Sequence, residues 1–263
     1  MQPLPITVST FYHFTPLPEP RALKPRLLEA MQQLGIKGTI TLAPEGLNAT
    51  ISGVANAVEN YLHFLRSMPM FSGLKTRESA FVAQPFQRSK VKVKRELISL
   101  GAEANPSLCV GTYVSPRDWN ALISRPDVIT IDTRNDYEFA IGHFQHAINP
   151  ATRNFKEMVA FTANTLSPRT HPQVAMYCTG GIRCEKYSAY LLTQGFEHVY
   201  HLEGGILAYL ENIPASESLW QGDCYVFDER VAVGHGLIKN PHYTMCRACG
   251  GPVRDTTPCA CGR

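Results

Sequence analysis

A cysteine followed at once by a glycine-containing turn is the feature of this sequence best suited to chemistry. In YCTGGIRCEKYSAYLL an apolar run ends at Cys178, Gly180 and Gly181 permit a tight backbone turn, and a helical pattern begins near Cys184. Backbone N–H groups of such a turn, the N-terminus of the next helix and the guanidinium of Arg183 all stabilise an anion. Because the thiolate is the reactive form of cysteine, we expect Cys178 to be a nucleophile.

This turn is predicted to be an active-site loop in which Cys178 and Arg183 are catalytic. The residues between them are Thr179, Gly180, Gly181 and Ile182. Cys184 has two interpretations that the sequence leaves open: a thiol that resolves an oxidised Cys178, or a small packed residue on the first helical turn.

Four further cysteines lie within 16 residues near the end of the sequence: Cys246, Cys249, Cys259 and Cys261. Glycines and a proline at 250–252 supply the turns of a small metal knuckle, and zinc is the metal that four thiolates favour. The second pair is C-x-C, which is tighter than the usual C-x2-C. A zinc site and a metal-free tail therefore both remain open.

A short basic run, QRSKVKVKRE, alternates charged and apolar side chains. As a strand it places Lys90, Lys92 and Lys94 on one face, with Arg95 directly after them. Such a row suits the phosphate backbone of a nucleic acid, and each contact adds salt-dependent affinity. An edge strand that lysines protect from aggregation is an equally good interpretation. The net charge of +3 is too small to decide between them.

The composition indicates a folded protein with more than one domain. Hydrophobic residues make up 44% of the 263 residues and charged residues 18%. No run approaches the roughly 18 apolar residues of a membrane span, and the start MQPLPITVST lacks a signal-peptide pattern. We therefore expect a cytoplasmic protein without a membrane partner.

The eight cysteines of such a chain favour catalysis or metal binding over a disulfide framework. No G-x-G-x-x-G fingerprint and no histidine-rich iron site occurs in the sequence, so it supports neither NAD, a flavin nor a non-haem iron.

Residues 1–100 are predicted to form a small ferredoxin-like α+β domain. The β-prone start ITVSTFYHF precedes the helical pattern PRALKPRLLEAMQQLG, and two β-rich runs in GTITLAPEGLNATISG precede a second helical pattern, ANAVENYLHFLRSM. We expect a closing strand near Lys90 to Leu97. Strand, helix, two strands, helix and strand is the split βαβ order of this fold.

The remainder is divided into a linker at 101–124, an α/β domain at 125–215 and a short cysteine-bearing C-terminal segment at 216–263. The apolar runs VITIDTR, QVAMYCTGG and EHVYHLEGG alternate with helical patterns such as EKYSAYLLTQG, which predicts a parallel sheet. Functional loops lie at the carboxyl ends of such strands, and Cys178 lies at one of them.

Two segments, ITIDTRNDYEFAIGHFQHAINPA and VAMYCTGGIRCEKYSAYLLTQGFEHVYHLEGGILAY, resemble the signature segments of the rhodanese superfamily. The resemblance implies that Cys178 carries the chemistry. The residues that match the first segment are expected to be mainly structural: Asp132, Arg134, Glu138 and His143. Phosphatases of the superfamily have a loop that is longer by one residue than the four residues between Cys178 and Arg183, which disfavours a phosphatase here.

Three segments in order resemble the TrhO family of tRNA uridine hydroxylases (UPF0176-like): APEGLNATISG at 43–53, CTGGIRCEK, and GDCYVFDERV at 222–231. The family combines a small α+β domain, a rhodanese domain and a cysteine-bearing tail that commonly continues with more cysteines, which leaves a truncated chain open. The resemblance implies an oxidoreductase that uses molecular oxygen to install 5-hydroxyuridine at wobble position 34, with tRNA as its partner.

Two charged segments carry further predictions from this resemblance. Glu45 and Asn48 are expected to form a loop that reaches the thiol pocket and contacts the substrate, with a plain hairpin turn as the alternative. Asp228, Glu229 and Arg230 are either functional or an ion-paired strand end.

The part that Cys178 takes in the reaction stays open at this level. Its thiolate could add to carbon 6 of uridine, which activates carbon 5, or it could carry the oxygen as an oxidised sulfur. The alternative activity is a rhodanese-type sulfurtransferase with a persulfide on Cys178. A non-catalytic scaffold is disfavoured, because it has no need of a thiol in an anion-stabilising turn. The sequence also leaves the oligomeric state open.

Overall fold

The structure is a computed structural model that describes residues 5–256, 259 and 261. The chain divides into two compact units, Met1–Ser99 and Leu100–Arg263. Across the described part of the chain, the helices are too short or too polar to cross a membrane.

The first unit is a single sheet with two helices. The elements are β1 (Ile6–Phe14), α1 (Pro20–Gln33), β2 (Lys37–Ala43), β3 (Gly46–Val54), α2 (Ala55–Arg66), a 3-10 turn (Pro69–Phe71), β4 (Arg77–Phe81) and β5 (Ser89–Val93). The strand order is β4-β1-β3-β2-β5. Its first four members have the ferredoxin-like arrangement, which confirms the predicted fold of this part.

Apolar side chains at helical spacing explain why α2 packs on this sheet. Val58, Tyr61, Leu62 and Leu65 are all buried and belong to the same core as the side chains of β2 and β3. Burying each aliphatic side chain of this kind stabilises the fold by about 1.5–3 kcal/mol. The apolar stripe therefore both selects the helix and fixes its face.

The predicted position of the closing strand, Lys90 to Leu97, was wrong. The strand that completes the sandwich is β4, which pairs antiparallel with β1, whereas β5 lies at the opposite edge and pairs parallel with β2. The sequence of β4, RESAF, has no buried side chain and hence no hydrophobic signal. Backbone pairing alone defines it.

The second unit begins with a parallel sheet and its helices. The elements are β6 (Thr112–Val114), α3 (Pro116–Ile123), β7 (Val128–Asp132), α4 (Asp136–Ile141), β8 (Gly142–Phe144), α5 (Glu157–Thr165), β9 (Gln173–Tyr177), α6 (Ile182–Thr193), β10 (His198–Leu202) and α7 (Gly205–Asn212). The order is β6-β10-β9-β7 with all neighbours parallel, which confirms the predicted rhodanese-like architecture.

Short antiparallel pairs make up the rest of this unit. They are β11 (Trp220–Gly222), which pairs with β8, then β12 (Cys224–Tyr225) with β13 (Ala232–Val233), and β14 (Tyr243–Met245) with β15 (Pro252–Arg254); 3-10 turns occupy Ala215–Glu217 and His235–Leu237.

The segment 101–124, predicted as a linker, contributes β6 and α3 to this unit. Strand β6 adds the edge of the sheet beside β10, and Trp119 of α3 is fully buried in the core. The three-residue strand TYV is too short to stand out among the Gly, Pro and Ser residues around it. Only pairing with β10 distinguishes it from a connecting loop.

The register of the parallel sheet places two strand ends side by side. Asp132 at the end of β7 pairs with Tyr177 at the end of β9. The chain continues from these ends into Thr133 and Arg134 on one side and into Cys178 on the other. The residues that follow β7 therefore flank the cysteine loop.

Candidate active site

The loop after β9 wraps its own backbone around the sulfur of Cys178. The side chain is fully buried, and the N–H of Gly181 donates a hydrogen bond to Sγ at 3.1 Å. Gly181 precedes α6 with φ of 105°, a conformation that L-residues with a side chain rarely adopt. The glycine therefore turns the N–H groups at the start of α6 towards the sulfur.

Helix α7 fixes the loop from the other side. The N–H of Ile206 donates to the carbonyl of Cys178 at 2.9 Å, and the N–H of Leu207 donates to the carbonyl of Thr179 at 3.1 Å. Gly205 allows this approach, because a Cβ at that position would collide with both carbonyl oxygens. Gly180, in contrast, is half-buried and a Cβ there would meet no atom within 4 Å.

The surroundings of Cys178 favour its thiolate. Burial by itself raises the pKa, but the hydrogen bond from the Cys184 thiol, the charge of Arg183 and the N–H groups of Cys184 and Gly181 outweigh it and lower the pKa to about 5. A deprotonated Cys178 is thus expected at neutral pH.

Cys184 is the protonated partner of this pair. Burial, followed by the hydrogen bond and the charge of Cys178, raises its pKa well above the ordinary value. Its Sγ also lies 3.5 Å from Oγ1 of Thr133. The structure thus places Cys184 beside Cys178, and its predicted role as a resolving thiol stays a prediction.

Arg183 is held by Glu138 in a buried bidentate ion pair. Its Nη1 and Nη2 donate to the two carboxylate oxygens of Glu138 at 2.7 and 2.8 Å, and Nη2 also donates to Oγ1 of Thr179 at 3.2 Å. Burial opposes ionisation of Glu138, but the guanidinium holds the net pKa of the carboxyl below its usual range. Glu138 therefore positions the cation that stabilises the Cys178 thiolate.

A second buried ion pair supports the adjacent strand end. Arg134 and Asp132 have no solvent exposure, and Nη2 of Arg134 lies 2.6 Å from Oδ2 of Asp132. The same Nη2 donates to the carbonyl of Gly142 at 2.6 Å, and the guanidinium lies 5.2 Å from the ring centroid of Trp220. His143 stacks on the ring of Phe139 at 4.1 Å. These contacts tie β7, β8 and β11 together.

The residues predicted to bind substrate in the first unit lie on its sheet. Glu45 occupies the turn between β2 and β3, where Oε1 accepts the N–H of Leu97 at 2.6 Å, and Asn48 lies on β3 opposite Tyr12 and Thr41. Both residues thus belong to the β2–β3 hairpin. Contact of Glu45 and Asn48 with substrate stays a prediction.

The lysine row lies on edge strand β5 and its extension. Lys90, Lys92 and Lys94 are exposed, as is Arg95. Burial and then the charges of Lys90 and Lys94 lower the pKa of Lys92, so the ammonium group of Lys92 is close enough to be repelled by both neighbours. Lys94 and Arg95 also line a cleft with Arg21 at the start of α1.

The four cysteines of the tail converge as a metal site requires. The Sγ atoms of Cys246, Cys249, Cys259 and Cys261 all lie within 4.8 Å of one another. Two of the S–S distances are 3.8 Å, between Cys246 and Cys261, and 3.5 Å, between Cys249 and Cys259. A tetrahedral zinc with bonds of about 2.3 Å has S–S edges of about 3.8 Å. The donor set therefore fits zinc.

Several residues of the site were missed by sequence reasoning. Gly205, Thr133 and the buried thiol of Cys224 all belong to it or adjoin it. Tyr225 and Phe227 lie in the GDCYVFDERV motif, where two aromatic residues at alternate positions were an available signal. Asp228 and Arg230 of the same motif form a buried ion pair of 2.7 Å.

Known proteins resemble this chain over most of its length. The model of the UPF0176 acylphosphatase-like domain matches residues 6–97, and the model of the rhodanese-like domain matches residues 115–212. A tRNA uridine(34) hydroxylase of Agrobacterium fabrum is 51% identical over 94% of this chain and 78% of that protein. The corresponding values are 48%, 95% and 78% for one of Teredinibacter turnerae, and 50%, 94% and 83% for one of Picosynechococcus. With such identity across both units, the chain belongs to the family of tRNA uridine(34) hydroxylases.

Proposed function

We propose that this chain hydroxylates carbon 5 of uridine 34 in tRNA and that Cys178 is its nucleophile. The relatives that bear this activity in their names are about half identical to the chain over nearly its whole length. The observation that carries the role of Cys178 is the buried sulfur with an N–H donor at 3.1 Å and a pKa of about 5. The same relatives do not favour the sulfurtransferase alternative.

The reaction requires that carbon 5 of uracil become electron-rich. Addition of the Cys178 thiolate to carbon 6 forms an S–C6 bond and moves electron density to carbon 5. Carbon 5 then bonds to one atom of molecular oxygen, and loss of its proton and of the sulfur restores the base. Two thiols of an external reductant supply the two electrons and two protons as they form a disulfide, and the second oxygen atom leaves as water.

The alternative, in which Cys178 carries the oxygen as a sulfenate, suits the site less well. A sulfenate condenses readily with a neighbouring thiol, and the Cys184 thiol is hydrogen-bonded to Cys178. Such condensation would divert the oxygen to water before it reached the base. Addition to carbon 6 has no such competing step, so it is the route we propose.

Binding of tRNA is assigned to the exposed row of Lys90, Lys92 and Lys94 together with Arg95. Their spacing along β5 and its extension is compatible with successive phosphates, and the repulsion that acts on Lys92 is relieved when a polyanion binds. The row supplies affinity rather than recognition of the base.

Zinc is proposed for the four converging cysteines, Cys246, Cys249, Cys259 and Cys261. Four thiolates form a closed structural site, so the metal would cross-link the tail and take no part in hydroxylation. Metal analysis of freshly purified protein should give about one zinc per chain. The site would be rejected if the wild type held well under one zinc per chain and no more zinc than a Cys249→Ser variant.

Mass spectrometry of tRNA nucleosides tests the proposal as a whole. Cells that lack this protein should lose 5-hydroxyuridine, and the wild type should restore it while Cys178→Ser should not. Restoration by Cys178→Ser would reject the nucleophile. A loss of thiolated nucleosides with 5-hydroxyuridine unchanged would reject the hydroxylase.

A further inference from the structure

Three aromatic side chains form a continuous row beside the cysteine loop. The ring centroids of Tyr137 and Tyr225 are 5.3 Å apart with an interplanar angle of 90°. Those of Tyr225 and Phe227 are 5.0 Å apart at 85°. Edge-to-face contacts of this kind stabilise each pair by about 0.5–1.5 kcal/mol beyond the burial of the rings. The row is therefore an ordered surface.

The row is joined to the active site at both ends. At one end, Cζ of Arg183 lies 5.9 Å from the ring centroid of Phe227. At the other end, Tyr137 is the neighbour of Glu138 in α4, and Glu138 is the carboxylate that holds Arg183. The charge of Arg183 also lowers the pKa of Cys178. One cation thus separates the Phe227 ring from the nucleophile.

Phe227 is the most exposed of the three side chains. It is 60% exposed, whereas Tyr137 is 36% and Tyr225 is 6% exposed. The segment that carries it is nevertheless tightly bonded: the N–H of Val226 donates to the carbonyl of Val231 at 2.9 Å, and Asp228 and Arg230 form a buried ion pair. A ring held rigidly in water can stack on a partner with little loss of conformational entropy.

A uracil that reacts at carbons 5 and 6 must leave its own stack before a buried sulfur can reach those atoms. Proteins hold such unstacked bases against aromatic rings and guanidinium planes. Phe227 offers an exposed ring of this kind, and the buried guanidinium of Arg183 lies beside that ring. We propose that Phe227 is the stacking platform for the base of uridine 34. This inference rests on the proposed function and names the residue that binds its base.

The test compares two anticodon stem-loop RNAs, one with uracil at position 34 and one abasic there. Removing the ring in Phe227→Ala should raise the Kd for the uracil RNA roughly 5- to 150-fold. The abasic RNA should bind the wild type and Phe227→Ala equally, because the partner of the ring is absent. Phe227→Tyr should keep the affinity of the wild type, whereas Phe227→Leu, which is apolar but has no π-face, should not.

Two controls separate stacking from a structural role. Leu108 of the same unit is 83% exposed, so Leu108→Ala removes an exposed apolar side chain and should leave the Kd unchanged. The rate of alkylation of Cys178 at pH 6 should be the same in Phe227→Ala as in the wild type, since Glu138 still holds Arg183. A large change in that rate would overturn stacking in favour of an effect through Arg183.

An unchanged Kd for the uracil RNA in Phe227→Ala would overturn the inference, as would an equal loss of affinity for both RNAs. The proposed function is measured separately by 5-hydroxyuridine in the complemented cells. If the wild type restores 5-hydroxyuridine while Phe227→Ala binds normally, stacking alone fails. If the wild type restores no 5-hydroxyuridine, the proposed function fails, and the stacking inference, which rests on it, fails too.

Discussion

The replacement Cys184→Ala tests whether a neighbouring thiol activates the nucleophile. In the wild type the pKa of Cys178 is about 5, so about nine-tenths of it is thiolate at pH 6. The hydrogen bond from Cys184 is the largest contribution that lowers this pKa. A hydrogen bond to a charged group stabilises it by about 1.5–3 kcal/mol, which corresponds to about one to two pKa units. Cys184→Ala should therefore move the midpoint to about pH 6–7.

The assay is the rate at which iodoacetamide alkylates Cys178, followed by mass spectrometry of the peptide that contains it and measured from pH 4 to pH 9. Cys184→Ser keeps a hydrogen-bond donor and should stay near the wild type. A wild-type midpoint above pH 7.5 would refute the anion-stabilising loop. Equal midpoints for the wild type and Cys184→Ala would refute the role of Cys184.

The depressed pKa of Cys178 also links stability to pH. Because its folded pKa of about 5 lies below the ordinary value of 9.0, the thiolate contributes stability that is complete above pH 9 and is lost as the pH falls towards 5. At pH 7 this contribution is about 3 kcal/mol, because pH 7 lies two pH units above the folded pKa of about 5 and each unit corresponds to about 1.4 kcal/mol. The free energy of unfolding of the wild type should therefore fall more steeply from pH 7 to pH 5 than that of Cys178→Ala, and equal slopes would contradict the shift.

Three further changes test the supports of the site and the RNA surface. Glu138→Gln should lower the free energy of unfolding by roughly 3–5 kcal/mol, because it leaves the buried guanidinium of Arg183 without its anion. Denaturant unfolding measures this change, and a loss under about 1 kcal/mol would contradict the ion pair. Gly205→Ala should lower the Tm more than Gly195→Ala does. Both glycines have a positive φ, but only at Gly205 would a Cβ collide with the cysteine loop. Equal shifts of Tm would contradict the close approach of Gly205 to that loop. Reversing the charge of Lys90, Lys92 and Lys94 should raise the Kd for tRNA. The slope of log K against log salt should fall by about 0.7–0.9 for each phosphate that the row no longer neutralises, and an unchanged slope would reject the surface.

Local patterns were sufficient for much of the fold. The apolar stripe of α2 and the β-rich runs around it form the packed core of the first unit, as their patterns predicted. The alternation of strands and helices predicted the parallel sheet of the second unit. Elements without an apolar pattern could not be found in this way. Strand β4 has no buried side chain, and β6 is three residues long; both exist because a partner strand satisfies their backbone hydrogen bonds.

The amino-acid sequence by itself determined that Cys178 lies where an apolar strand ends, that glycines follow it and that a helix begins shortly after. These features are local, because residue type and spacing decide backbone turns and helix starts. The tertiary structure decided which groups meet the sulfur. Glu138, 45 residues before Arg183, fixes its guanidinium, and α7 closes the loop through Gly205. Phe227 reaches Arg183 from the C-terminal segment. Contacts between residues so far apart arise only when the sheet and its covering segments pack, and no periodicity in the sequence records them.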